Sequence, residues 1–158
     1  MASIQRWFGV LIATAGVTLL AVPLASAAPP SVPWKAVSAN SDWHCSDYVS
    51  PYNADGLNFK SCVVVNAHDD ALGVLVVQNP TNAARTIKGA IRLPQLGGDV
   101  NCAETPLQPG FTRGCYSTTK SLGCAHCTGP VNTHLFVWDG SGWSESLDDK
   151  ASEWTGYC

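Results

Sequence analysis

The sequence is poor in charge. Lys, Arg, Asp and Glu make up 13% of its 158 residues, 9 cations against 12 anions, for a formal charge of −3. No basic block occurs, so neither a nucleic-acid backbone nor an anionic membrane surface is the expected partner. Helical periodicity is missing too. Outside the first 27 residues no stretch of ten repeats its apolar positions every three or four, which argues against helical bundles and layered α/β folds. There is no internal repeat of solenoid or propeller length. No G-x-S-x-G elbow is available to expose a serine nucleophile. Adjacent acids such as Asp148 and Asp149 point apart on a strand, so they do not make the facing carboxylates of a glycosidase.

What is present begins with an export layout. Arg6 precedes an apolar run from Trp7 to Val22, then Pro23 and the small-residue triplet Ala25-Ser26-Ala27. This reads as a secretory signal peptide over residues 1–27 with the mature start at Ala28, because cutting one residue later would leave Pro29 directly after the bond. The run is short for a membrane span and stops at Pro23, so no span is expected in the mature protein. No Cys follows the cleavage site, which argues against a lipid-linked form. Loss of Arg6 leaves residues 28–158 with a formal charge of −4. The expected location is secreted, extracellular.

Beyond the signal, residues 28–42, "APPSVPWKAVSANS" with the following Asp42, read as an extended lead-in anchored by Trp34. Residues 43–158 read as a single domain. "WHCSDYVSPYNADG" has turn chemistry and is expected to be a loop pinned by Cys45. In "LNFKSCVVVN" Leu57, Phe59, Val63 and Val65 share one face, and Asn58, Lys60, Cys62 and Val64 the other. "ALGVLVVQ" is apolar on both faces, as a central strand covered on each side must be. "RTIKGAIRL" alternates Ile87, Gly89, Ile91 and Leu93 against Thr86, Lys88, Ala90 and Arg92, a half-exposed strand. "PQLGGDVNCAETPLQPG" reads as loop and "FTRGCYST" as a strand. "VNTHLFVW", "DGSG" and "WSESL" spell a β-hairpin.

Short strands separated by Gly, Pro, Asn and Asp turns predict an all-β, antiparallel β-sandwich. The arrangement "CVVVNAHDDALGVLVVQNPTNAARTIKGAIRL" followed by "LQPGFTRGCYS" resembles the immunoglobulin-like β-sandwich domains of secreted bacterial proteins, and is similar to small exported actinobacterial proteins. The resemblance covers roughly residues 57 to 138 and rests on a layout of strands and turns. It departs from antibody domains in having no Trp between Cys62 and Cys115. It implies an immunoglobulin-like fold and carries no activity with it.

All seven cysteines, Cys45, Cys62, Cys102, Cys115, Cys124, Cys127 and Cys158, lie beyond the signal. In an oxidising compartment they are expected to pair, and the odd number leaves one over or shared with another chain. Cys102 and Cys115 flank a turn-bearing segment and are the first expected bridge. Cys45 with Cys62, and Cys158 with Cys124 or Cys127, are the next. Cys124-Ala-His-Cys127 lacks the second ligand pair of a structural zinc site, and Gly129-Pro130 follows it where a thioredoxin-type dithiol needs a helix. It reads as a staple, and no metal or cofactor is expected.

The remaining features are a turn and an aromatic hairpin. His68, Asp69 and Asp70 read as a hydrated turn, with Ca²⁺ ligation alongside Asn66 as the sharper alternative. Trp138 and Trp143 sit symmetrically about "DGSG" with His134 and Phe136 on the face of Trp138. They predict either a cross-strand pair that steadies the hairpin or a platform for a sugar ring or partner side chain. The leading functional expectation is a non-catalytic, disulfide-stapled module binding a protein or glycan, or contributing to the cell surface. One alternative is a secreted protease inhibitor presenting a braced loop from Ala103 to Gly114. The other is a small secreted hydrolase, or a metal or redox protein using Cys124 and Cys127.

Overall fold

The computed structural model describes residues 27–52, 56–122 and 130–148. The expected signal peptide up to residue 26, the Cys124 to Cys127 loop and Cys158 with its tail therefore lie outside the described residues. In chain order the strands are β1 (Ser31–Val32), β2 (Lys35–Ala36), β3 (Trp43–Cys45), β4 (Asn58–Val65), β5 (Asp70–Gln78), β6 (Arg85–Arg92), β7 (Val100–Leu107), β8 (Thr112–Tyr116), β9 (Lys120–Ser121), β10 (Asn132–Trp138) and β11 (Trp143–Asp148). No helix occurs among the described residues.

Two sheets result. Sheet A runs β1-β7-β6-β10-β11, and sheet B runs β2-β8-β5-β4-β3 with β9 added to the start of β5. All pairings are antiparallel except β1 with β7. The sheets face each other over one core that includes Leu57, Phe59, Val63, Leu75, Val77, Ile87, Ile91, Val100, Leu107, Leu135 and Val137. Apart from Leu107, these positions alternate along their strands as a period of two assigns to the inner faces. Burial of each such side chain contributes about 1.5–3 kcal/mol.

β5 is central in sheet B, as its two-sided apolar pattern requires. Its outward Val74 and Val76, with Cys62, form a second cluster covered by Val37, Trp43, Leu72 and Tyr116. Trp43 meets Tyr116 edge to face at 6.1 Å. The Tyr116 hydroxyl donates to the Ala36 carbonyl at 3.1 Å, and burial raises its pKa above the ordinary value.

Three readings need correction. The lead-in is extended, but it is also built into both sheets: Ser31 and Val32 join β7 while Lys35 and Ala36 join β8. Trp34, at the crossover, donates its indole N–H to the Ala103 carbonyl at 2.7 Å. The expected loop around Cys45 begins as an edge strand, Cys45 lying opposite Cys62. The expected loop over residues 94–110 contains β7. Its alternation is hidden because the register slips between Ile87 and Gly89 of β6, which face Thr105 and Cys102. That count leaves one extra residue in β7 at Ala103-Glu104, a bulge that puts inward Cys102 and Leu107 at odd spacing. Pro106 is tolerated because β1 reaches only Asn101 and Cys102, which leaves the outer edge of β7 free at that point.

The two long sides of the sandwich are closed differently. At the β7/β8 side a disulfide joins buried Cys102 to buried Cys115, Cα to Cα 5.9 Å, and so links one sheet to the other. At the β11/β3 side Asp148, 3% exposed, accepts the Ser46 hydroxyl at 2.7 Å and the Ser61 amide at 3.0 Å. Ser61 and Thr133 hydroxyls meet at 2.6 Å beneath it. A buried carboxylate is tolerable only with such partners. A second disulfide, Cys45 with Cys62, crosses neighbouring strands on the outer face of sheet B.

Candidate functional site: the outer face of sheet A

Alternation along β10 and β11 turns Leu135, Val137 and Ser146 inward and leaves the intervening residues on the solvent side. Across the hairpin the outward pairs are Trp138 with Trp143, Phe136 with Glu145, and His134 with Leu147. β6 adds Lys88 opposite Phe136. The result is a row of three aromatic rings and a histidine on one solvent face.

A four-residue turn fixes that hairpin. Asp139 Oδ1 accepts from the Ser141 and Gly142 amides and the Ser141 hydroxyl, each at 2.8 Å. Gly140 sits at φ +98°, which an L side chain adopts only with strain. The three donors pull the Asp139 pKa below its ordinary value. The turn therefore sets the register that brings the two tryptophans together.

Trp138 and Trp143 pack edge to face, centroids 5.5 Å apart at 65°. The Lys88 ammonium lies 4.0 Å from the centroid of Trp143 and 5.5 Å from that of Phe136. His134 stacks on Phe136 at 6.4 Å and meets Glu145 through Nδ1 at 2.7 Å. A shallow cleft of about 300 Å³ opens beside the tryptophans, lined by Thr86, Glu104, Trp138 and Trp143. Trp138 is 41% exposed.

Of the three binding residues expected from sequence, the structure brings Trp138 and Trp143 into the cleft. His134 shares the face but is engaged with Glu145, away from the cleft. Thr86 and Glu104 were not anticipated. Glu104 reaches the outer face because of the bulge, and the only sequence signal for it is the parity break between Cys102 and Leu107.

The other candidates are the 66–70 turn and the segment from Ala103 to Gly114. Asn66 Oδ1 accepts from the His68 and Asp70 amides at 2.8 and 3.0 Å, so the 66–70 segment is a side-chain-capped turn, with Asp69 at φ +58°. The segment from Ala103 to Gly114 is not an extended loop: β7 and β8 occupy most of it, and only residues 108–111 turn between the sheets. That turn is latched by Asn79, fully buried, whose Nδ2 donates to the Leu107 and Ala83 carbonyls, both at 2.9 Å. Its Oδ1 accepts the Thr81 hydroxyl at 2.6 Å, and its backbone pairs with Phe111 and Gly110. Among the described residues no three His, Cys, Asp or Glu converge as metal ligands, and no helix is long and apolar enough to cross a membrane.

No protein-family model matches the chain, and no curated protein or solved structure matches it either.

Proposed function

We propose that the chain is a secreted, non-catalytic, immunoglobulin-like β-sandwich module that binds a glycan or a partner protein through the outer face of sheet A. The observation that carries this reading is the tryptophan pair itself. Two large rings stand on the solvent side of a two-sheet fold whose core is filled without them, and polar side chains line the cleft beside them. Aromatic rings with an apolar face and polar neighbours are the usual anchors of recognition surfaces. Disulfides suit an oxidising exterior, and the sequence offers no nucleophile motif to suggest catalysis.

The test is a binding screen of the oxidised protein against extracellular fractions and a glycan panel. The Trp138→Ala/Trp143→Ala variant is expected to lose binding while its far-ultraviolet circular dichroism stays near that of the unsubstituted protein. Binding that persists unchanged in the variant removes this face from consideration.

A further inference from the structure

We infer that the ligand of the Trp138 cleft is a neutral, polyhydroxylated sugar ring, stacked on Trp138 and hydrogen-bonded by Glu104 and Thr86. The inference rests on the reading of sheet A's outer face as the contact surface and gives that face a ligand class.

The aromatic rings are not equivalent. Trp143 carries the Lys88 ammonium 4.0 Å from its centroid, and Phe136 shares that cation while stacking with His134. Trp138 has no cation over it among the described residues, and it is the ring with the most exposed area of the pair. It is therefore the ring that offers a face to a ligand.

The polar groups divide in the same way. His134 and Glu145 satisfy each other at 2.7 Å. Glu104 and Thr86 line the cleft, and neither side chain has a hydrogen-bond partner among the described residues. An ionised carboxylate only accepts, and a threonine hydroxyl both donates and accepts. Beside an apolar ring face, that set complements a molecule with C–H groups on one face and hydroxyl donors around its edge. A pyranose has this form. A cleft of about 300 Å³ is at the lower end of small-ligand sites, which suits one ring.

Charge narrows the class. Glu104 in the cleft, on a chain of net charge −3, disfavours uronic or sulfated sugars. A cationic ligand, the other chemistry that aromatic faces attract, is opposed by Lys88 4.0 Å from the Trp143 centroid but drawn by Glu104, so a cation is the competing ligand in the test.

The experiment titrates the oxidised full-length secretion product with glucose, galactose, mannose, N-acetylglucosamine and their short oligomers, with an oligogalacturonate and with tetramethylammonium, following tryptophan fluorescence and calorimetry. At least one neutral sugar is expected to bind, and Trp138→Ala to weaken it about tenfold or more. Trp138→Phe should restore part of the loss. Glu104→Gln, which keeps an acceptor, should weaken binding less than Glu104→Leu. The Glu104→Leu and Thr86→Val variants leave the tryptophan pair intact, so they test the site even if Trp138→Ala unfolds. Binding of only the acidic oligomer or the ammonium overturns the inference, as does neutral-sugar binding indifferent to Trp138 and Glu104. If no sugar binds but a protein partner is captured through Trp138, the sugar inference fails and the module reading stands. If the tryptophan variants alter no binding at all, both fail.

Discussion

At the scale of single residues, two buried polar side chains do what the apolar core cannot. Asn79 holds both chain segments that pass between the sheets at one end, residues 79–84 and 108–111, because a primary amide has two donors and an acceptor to share among several backbone groups. Asn79→Ala takes the amide donor from the Leu107 carbonyl and leaves the Ala83 carbonyl to the Thr81 hydroxyl, 3.0 Å away, and is expected to lower stability by about 2 kcal/mol, read as a shift in the urea midpoint. A loss below about 1 kcal/mol would show that water replaces the amide without cost. Neither Asn79 nor Asp148 announces itself in the sequence. The period of two does put Asp148 on the inward side with Ser146, yet an acid is not assigned to a core until Ser46 and Ser61, distant in the chain, are seen to meet it. Glu104 is illegible for another reason: its direction depends on one extra residue in β7, and a single bulge reverses every assignment beyond it.

Elements were legible where local pattern and environment agree. β4, β5, β6 and the β10–β11 hairpin follow from alternation and turn residues, because each is long enough for the pattern to repeat. β1, β2 and β3 are two or three residues long, too short to carry a period, and they exist because neighbouring strands present unpaired edges to them. The hairpin also gives a pH test. Asp139 titrates below the ordinary aspartate value of 3.8 in the folded protein because three donors favour its charged form. Its contribution to the turn is therefore fully present above the unfolded value and is lost as pH falls through the lower, folded one. A carboxyl titration followed by NMR is expected to place the Asp139 midpoint below 3.8, with the Ser141 and Gly142 amide shifts moving in step. A midpoint at or above 3.8 would mean that the turn does not hold in solution.

For the whole molecule, two sheets share one core and are tied together by different chemistry along opposite sides. The Cys102–Cys115 bridge spans 13 residues, and removing it with a double Ala substitution is expected to cost about 3 kcal/mol in the chain-entropy account. Its sulfurs are shielded by the core, whereas Cys45 is half-buried on the outer face of sheet B. Graded treatment with reductant followed by alkylation and mass mapping is expected to open Cys45–Cys62 first. Labelling of Cys102 before Cys45 would contradict the burial described for the two sides. Both crosslinks enclose separate stretches of chain, 45–62 and 102–115, and neither stretch contains an end of the other. Each pair can thus be oxidised as soon as its own stretch has emerged and turned back, in either order, and formation of one neither requires nor blocks the other.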